Sequence, residues 1–95
     1  MKKEIVVTVT GRVQGVMFRD FAQRNARGLR LVGTVQNMKD GSVRIVAVGE
    51  ESDLQTFLKK LERRPLLSRI VSRIENIEAV WSEPVHTFTK FDILY

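Results

Sequence analysis

The chain has 95 residues, of which 43% are hydrophobic, and a net charge of +5 from 16 basic and 11 acidic side chains. This length predicts one domain, residues 1–95, with a two-layer core. The absence of cysteine excludes disulfides and thiolate chemistry, and a single histidine, His86, leaves little scope for a histidine-based metal site. No apolar run approaches the roughly 18 residues of a membrane span or forms a signal-peptide core, so we expect a cytoplasmic protein. The positive charge favours an anionic partner, either a phosphorylated substrate or a nucleic acid.

The segment from Gly11 to Arg19, Gly-Arg-Val-Gln-Gly-Val-Met-Phe-Arg, joins a predicted strand to a predicted helix. Apolar and polar residues alternate from Lys3 to Arg12, which is the period-two pattern of a strand with one buried face. Apolar residues then recur at helical spacing. We expect this helix to begin near Phe18 or Arg19 and to end at Gly28, a suitable C′ residue.

The loop between this strand and helix has the composition of an anion-binding site. Gly15 lets the backbone turn so that successive N–H groups can converge on one point. The helix N-terminus adds unpaired N–H groups and the positive end of the helix dipole. Arg19 supplies a planar guanidinium suited to phosphate or carboxylate. We therefore predict a cradle for an anion, with phosphate favoured, formed by Gln14, Gly15, Val16, Met17, Phe18 and Arg19.

Two further strands form a predicted hairpin after the first helix. Strand two is predicted over Leu31–Lys39 and strand three over Ser42–Val48, because apolar residues alternate in both. Asp40-Gly41 between them is a strong signal for a two-residue hairpin turn. Asn37 shares the parity of Val35, so its side chain is expected to face the helices at the end of strand two, beside the loop.

The second half of the chain completes the pattern. Ser52 and Gln55 form a capping-box sequence before a second amphipathic helix that ends by Pro65. From Leu66 the apolar residues keep no single alternation, which predicts a β-bulge or an irregular start to strand four, and a short last strand runs to Tyr95. The order predicts an α+β, ferredoxin-like split β-α-β sandwich, with an antiparallel sheet and two helices on one face. Such a fold hosts many functions and does not choose among them.

Two sequence blocks resemble the signatures of the acylphosphatase family. The segment Gly11–Arg19 is similar to the first signature, and the segment Gly28–Val43, with Gly-x-Val-x-Asn followed by Asp-Gly-Ser-Val, is similar to the second. The blocks occur in the family's order and spacing, and the resemblance runs from about Ile5 to Pro65. It implies the same fold and the hydrolysis of acyl phosphates to carboxylate and phosphate.

The resemblance also implies two residue roles. Arg19 matches the family's phosphate-binding arginine, and Asn37 matches the asparagine that orients the attacking water. The implied mechanism is direct attack of water on phosphorus, without metal, cofactor or phosphoenzyme. It suits the residues, since phosphoryl transfer depends mainly on positioning and electrostatics, and an amide can both accept from and donate to water. We expect a monomer acting on a small acyl phosphate.

The chain departs from the family pattern at two places. Met17 occupies a position where many members carry a smaller residue, which predicts changed access for the substrate. After the second helix, Arg63–Leu67 replaces a small-residue turn, which leaves the loop shape and the register of strand four open.

Each of these residues also has a simpler explanation. Arg19 could be a surface arginine at a helix start, and Asn37 a turn residue, because asparagine favours turns. Gln14 could serve only to satisfy loop backbone. His86 is interpreted as a surface histidine in a loop. Phe18 and Trp81 are interpreted as packing residues, and Asp40 as a turn residue.

Two other functions fit the same fold. A nucleic-acid-binding module in the manner of an RRM would need aromatic residues on the open face of the sheet. Strand three offers only Arg44, Val46 and Val48 there, which counts against this function. A non-catalytic, anion-sensing domain would keep the loop without turnover, and the sequence leaves this alternative open.

Overall fold

The computed structural model describes residues 1–14, 16–63 and 73–95. Its elements follow the predicted order of strands and helices, and the ferredoxin-like α+β fold class is confirmed. In chain order they are β1 (Lys2–Arg12), α1 (Val16–Gly28), β2 (Val32–Asn37), β3 (Val43–Glu50), α2 (Glu51–Glu62), β4 (Arg73–Ser82) and β5 (Phe91–Leu94).

The strands form one sheet in the order β4-β1-β3-β2-β5. The pairs β4–β1, β1–β3 and β3–β2 are antiparallel. In contrast, β5 runs parallel to β2. The sheet is therefore mixed, whereas the sequence predicted antiparallel pairing throughout. The cause is the crossover from β4 at one edge to β5 at the other. The crossover starts at the end of the sheet where β1 and β2 begin, so β5 leaves that end in the direction of β2.

The core lies between one face of the sheet and both helices, as predicted. Its members alternate along the strands and recur at helical spacing, and each valine, leucine, isoleucine or phenylalanine side chain buried in this way stabilises the fold by about 1.5–3 kcal/mol. The fully buried residues are Ile5, Val7 and Val9 of β1, Val35 of β2, Val43, Ile45 and Ala47 of β3, Phe18, Ala22 and Ala26 of α1, and Leu54, Phe57 and Leu61 of α2. Within the described ranges, no helix has the length and hydrophobicity of a membrane span.

The β2–β3 hairpin turns on three residues rather than the predicted two. The N–H of Met38 donates to the carbonyl of Ser42 at 2.8 Å, and the N–H of Gly41 donates to the carbonyl of Met38 at 3.2 Å. Gly41 has φ 95°, the left-handed conformation that closes such a three-residue loop. The Asp40 carboxylate accepts the N–H and the hydroxyl of Ser42, so Asp40 is a turn residue, as predicted.

The end of α1 is a Schellman motif. The N–H of Leu31 donates to the carbonyl of Ala26 at 2.9 Å, and the N–H of Arg30 donates to that of Arg27 at 3.0 Å. Arg30, at φ 60°, is therefore the C′ residue. The prediction that Gly28 occupies C′ is wrong, since Gly28 is the last helical residue.

Both helices begin earlier than predicted. α1 starts at Val16, about one half-turn before Phe18. α2 starts at Glu51, directly after β3, with Glu50 in extended backbone at the N-cap and no side-chain cap hydrogen bond. The predicted capping box of Ser52 and Gln55 is therefore wrong, because both residues already lie inside the helix.

The irregularity predicted for strand four is confirmed as a β-bulge. Thr10 pairs with Asn76, but Gly11 pairs with Ile74, so Glu75 has no opposite residue on β1. A bulge of this kind bends the strand and increases its twist. The bulge lies near the end of β1 that leads into the predicted phosphate loop. The departure predicted at Arg63–Leu67 falls, apart from Arg63, on residues 64–67, which lie outside the described residues.

Candidate active site

The loop and the hairpin that carry the predicted site residues lie at one end of the sheet. β1 ends at Arg12 and leads into the loop, while β2 ends at Asn37 and leads into the hairpin. Val43, the first residue of β3, pairs with Val9 of β1 and with Asn37 of β2. The loop and the hairpin therefore leave the same end of the sheet, where β3 lies between β1 and β2. Gly15 lies outside the described residues.

The start of α1 supplies backbone donors to this end of the molecule. The N–H groups of Val16, Met17 and Phe18 precede any intrahelical acceptor, because they belong to the first turn. They also carry the positive end of the helix dipole, which attracts anions. The side chain of Phe18 is fully buried in the core, in line with its packing interpretation.

Gln14 joins the loop to the hairpin. Its side-chain Nε2 donates to the carbonyl of Met38 and, at 3.0 Å, to the carbonyl of Ser42. The amide thus satisfies two backbone acceptors beside Asn37. This use of the side chain matches the simpler explanation considered for Gln14, and its proposed contribution to anion binding is limited to its backbone N–H.

Arg19 and Asn37 each hold a buried polar atom without a hydrogen-bond partner. These atoms are the guanidinium Nε of Arg19, a donor, and the side-chain Oδ1 of Asn37, an acceptor, and no other side-chain atom in the described part of the chain shares this condition. Leaving a buried polar group unpaired costs about 1–3 kcal/mol. Such groups in a native fold call for an explanation, and a ligand-binding role is one.

Tyr95 is a neighbour of Arg19 that the sequence did not predict. The guanidinium carbon of Arg19 lies 5.0 Å from the centre of the Tyr95 ring, a cation–π contact. Asn37 and Tyr95 line one cleft of about 710 Å³, together with Arg44 and the hairpin. Arg19 does not line this cleft itself, but its guanidinium contacts the ring of Tyr95, which does.

The charges around the cleft are mostly positive. The side chains of Lys39 and Arg44 line it, and Asp40 is the one acidic side chain among its lining residues. Hydrogen bonds from the hydroxyl and then the N–H of Ser42 hold the pKa of Asp40 below its usual value, so Asp40 is ionised at neutral pH and engaged in its own turn. The arrangement can attract and hold an anion.

Comparison with known proteins decides the family. The family model for acylphosphatases matches residues 5–93. The chain belongs to the acylphosphatase family. An acylphosphatase of Lactobacillus gasseri is 39% identical over 93 residues, covering 98% of this chain and 99% of that relative. An acylphosphatase of Methanococcoides burtonii is 44% identical over 87 residues, covering 92% and 86%.

A solved acylphosphatase structure agrees with these relatives. The crystal structure of acylphosphatase from Bacillus subtilis matches with a TM-score of 0.86 at 35% identity, covering 98% of this chain and 99% of that one. The protein is therefore an enzyme of the acylphosphatase family, and the resemblance seen in its two sequence blocks extends over nearly the whole chain.

Two other residues considered in the sequence of this acylphosphatase, His86 and Trp81, lie away from the loop. His86 places its Nδ1 2.9 Å from the carboxylate of Glu4, near the start of β1 and thus at the opposite end of that strand. Trp81, on the edge strand β4, is 39% exposed and pairs with Ile5. Across the described ranges, no three His, Cys, Asp or Glu side chains cluster as a metal site would require.

Proposed function

We propose that this acylphosphatase hydrolyses the carboxyl–phosphate anhydride of acyl phosphates, using Arg19 to hold the phosphate and Asn37 to orient the attacking water. The observation that carries the proposal is the pair of buried, unpaired atoms on these two residues, one a donor and one an acceptor. The donor suits a phosphate oxygen, and the acceptor suits a hydrogen of water.

The phosphoryl group is held by the loop of residues 14–19. The first-turn N–H groups of α1 and the helix dipole face the phosphate oxygens. Arg19 neutralises their charge and donates its Nε–H. These charge-assisted hydrogen bonds all go to the phosphate oxygens and none goes to the acyl group. The loop therefore recognises the phosphoryl half of the substrate.

Water carries out the bond change directly. The Oδ1 of Asn37 accepts one hydrogen of the water and points the water's lone pair at phosphorus. The new O–P bond forms as the P–O bond to the acyl group breaks, and the carboxylate leaves with the electron pair. A phosphate oxygen takes the proton of the water. A carboxylate is a good leaving group, so positioning and electrostatic stabilisation supply the catalysis.

All residues of this proposal come from one chain. We therefore propose that the monomer is the active form and that its partner is a small acyl phosphate met in the cytoplasm. The alternative of a nucleic-acid-binding surface loses support, because Val46 and Val48 on the second face of β3 are only 5% and 8% exposed. Stacked bases would find no aromatic platform on that strand.

Steady-state hydrolysis of benzoyl phosphate, with and without chelator, tests the proposal. We expect chelator-insensitive activity in the parent protein. Asn37→Ala should lower kcat by about 100-fold or more, a loss typical of removing one positioned polar group, while phosphate binding survives. Arg19→Ala should lose both phosphate binding and turnover.

Matched controls separate the site from the surface. Arg24→Ala removes an arginine of the same helix whose guanidinium pairs with Asp20, and Asn25→Ala removes an amide of α1 whose Nδ2 donates to the carbonyl of Phe21. Both should keep the parent's activity. A folded parent that binds phosphate but hydrolyses nothing would favour the anion-sensing alternative, and full turnover in Asn37→Ala would show that its assigned role is wrong.

A further inference from the structure

Tyr95 presents a nearly free aromatic ring beside the proposed phosphate site. Its side chain is 94% exposed, although its ring lies against the guanidinium of Arg19. Exposure of an aromatic ring to water does not stabilise the fold, and the ring has no role in the catalysis proposed above.

The sheet fixes where this ring stands. β5 pairs parallel with β2, with Leu94 opposite Gln36. The same register carried one residue further sets Tyr95 beside Asn37, at the end of the sheet where both strands finish. Tyr95 and Asn37 accordingly line the same cleft, and Arg19 reaches across from α1 to the ring.

We infer that Tyr95 is a specificity-determining residue, whose ring orients Arg19 and forms the wall that contacts the acyl group, favouring acyl phosphates with a flat, apolar acyl group. The inference rests on the function proposed above. The loop of residues 14–19 binds only the phosphoryl half, so the acyl half must extend out of the loop past Arg19. There the exposed part of the Tyr95 ring offers apolar surface, and aromatic pairs gain beyond simple burial.

The ring's contact with Arg19 has a second effect. A guanidinium over an aromatic ring is attracted to the face of that ring, which restricts where the guanidinium can lie. Tyr95 thereby limits the orientations of Arg19 and leaves its Nε–H available to a phosphate oxygen. This effect is common to all acyl phosphates, whereas contact with the acyl group depends on the substrate. The two effects can be separated by comparing substrates.

Two substrates that share the phosphoryl group test the inference. We expect the parent protein to prefer benzoyl phosphate over acetyl phosphate in kcat/KM. Tyr95→Leu should lower kcat/KM for both by about threefold through Arg19, and for benzoyl phosphate by about threefold more, mainly as a higher KM, which is the size expected of exposed aromatic contacts. The benzoyl-to-acetyl ratio therefore falls about threefold.

Two variants serve as controls. Tyr95→Phe keeps the ring and should keep the ratio. Trp81→Leu removes a half-exposed aromatic ring on β4, which is the opposite edge of the sheet from β5, and should leave both substrates unchanged. A ratio that stays within twofold of the parent value in Tyr95→Leu overturns the inference, and an inactive parent overturns the proposed function together with it.

A measurement on the parent protein needs no variant. Tyr95 is the only tyrosine of the chain, so its ring protons are assigned without ambiguity. Phenylphosphonate should shift these signals through the ring current of its phenyl group, and methylphosphonate should shift them much less. Equal shifts with both phosphonates, or none with either, would overturn the inference even if Tyr95→Leu failed to fold, and would leave the proposed hydrolysis intact in an active parent.

Discussion

Gln14 shows that a residue of the loop can serve the site by fastening it. Both hydrogens of its Nε2 are directed at hairpin carbonyls, those of Met38 and Ser42. These bonds require a donor at this position. The orientation of the loop relative to Asn37 therefore depends on a neutral amide, and any substitution that removes the donor releases the loop from the hairpin.

Substituting Gln14 should lower activity by loosening this attachment. Gln14→Ala loses both hydrogen bonds, and we expect the free energy of unfolding to fall by about 1–2 kcal/mol and kcat/KM for benzoyl phosphate to fall about tenfold, since small displacements of positioned groups are costly. Gln14→Glu should be worse, because a carboxylate cannot donate and would face two carbonyl oxygens.

Urea unfolding and steady-state kinetics measure the two losses. Gln23→Ala is the matched control, because Gln23 also donates from Nε2 to a backbone carbonyl, that of Phe91, at 3.0 Å. It should lose stability and keep activity. If Gln14→Glu were as active as the parent, the side-chain attachment would have no part in catalysis.

At the scale of residues, the sequence predicted those site residues that belong to a recognisable motif. Arg19 and Asn37 were found from two signature blocks, and both turned out to hold the unpaired buried atoms. Tyr95 was missed because its contact depends on the parallel direction of β5, which alternation of side chains does not encode. Arg30 was missed as the C′ residue because Gly28, two positions earlier, is the better-known occupant of a left-handed position.

Among the elements, β2 depends on one glycine. Gly33 has φ 150°, and a Cβ built on it would lie 1.8 Å from the carbonyl oxygen of Val46. No side chain fits so close to the backbone of β3. Gly33 also pairs with Phe91 of β5. This one position therefore holds three strands together four residues before Asn37.

Gly33→Ala should destabilise the protein strongly. The added methyl must push β2 from β3, and we expect the free energy of unfolding to fall by about 3 kcal/mol or more, in the range of the most damaging single substitutions. Urea unfolding measures this loss. At Gly28 nothing lies within 4 Å of an added Cβ, so Gly28→Ala should leave stability unchanged or raise it by up to about 1 kcal/mol.

Equal stability of the two alanine variants would contradict this account of β2.

Periodicity predicted the strands and both helices correctly, because the core selects one face of each. It did not predict the helix starts. α2 follows β3 without a loop, with Glu51 and Asp53 in its first turn, so the backbone geometry of Glu50 places the start rather than a capping side chain.

Across the whole molecule, the crossover between β4 and β5 is held by one buried carboxylate. Glu4 is 2% exposed, and its Oε1 accepts the N–H groups of Val85 and His86 at 3.0 and 2.9 Å. Burial raises the pKa of Glu4, but these two N–H groups and the His86 side chain together lower it below its ordinary value of 4.5. The fold therefore stabilises the ionised form.

This linkage gives a stability that depends on pH. A carboxyl whose pKa is lower in the folded state contributes stability above the unfolded pKa, near 4.5, and loses it as pH falls through the folded value. Glu4→Gln should be less stable than the parent at pH 7 by about 1.5–3 kcal/mol, the worth of hydrogen bonds to a charged group. The difference should shrink as pH falls below 4.5.

Urea unfolding of both proteins between pH 7 and pH 3 gives this difference directly. Because Asp40 and Glu50 are present in both proteins, subtraction removes their contributions and leaves that of Glu4 together with its contacts to Val85 and His86. Glu50→Gln is a useful comparison, since the Glu50 carboxylate is exposed and pairs with the chain's first amino group. A difference between parent and Glu4→Gln that stayed constant down to pH 3 would contradict the assigned role of the carboxylate.

The place of β1 between β3 and β4 in the sheet has a consequence for how the chain folds. Its partners on β4 are far away in sequence, from 61 residues between Arg12 and Arg73 to 78 between Glu4 and Ser82. Closing such long loops costs entropy before any contact compensates for it, which slows folding. The β2–β3 hairpin is the one local pairing among the described strands. The strand that precedes the proposed phosphate loop is therefore completed only after the remote half of the chain has reached it.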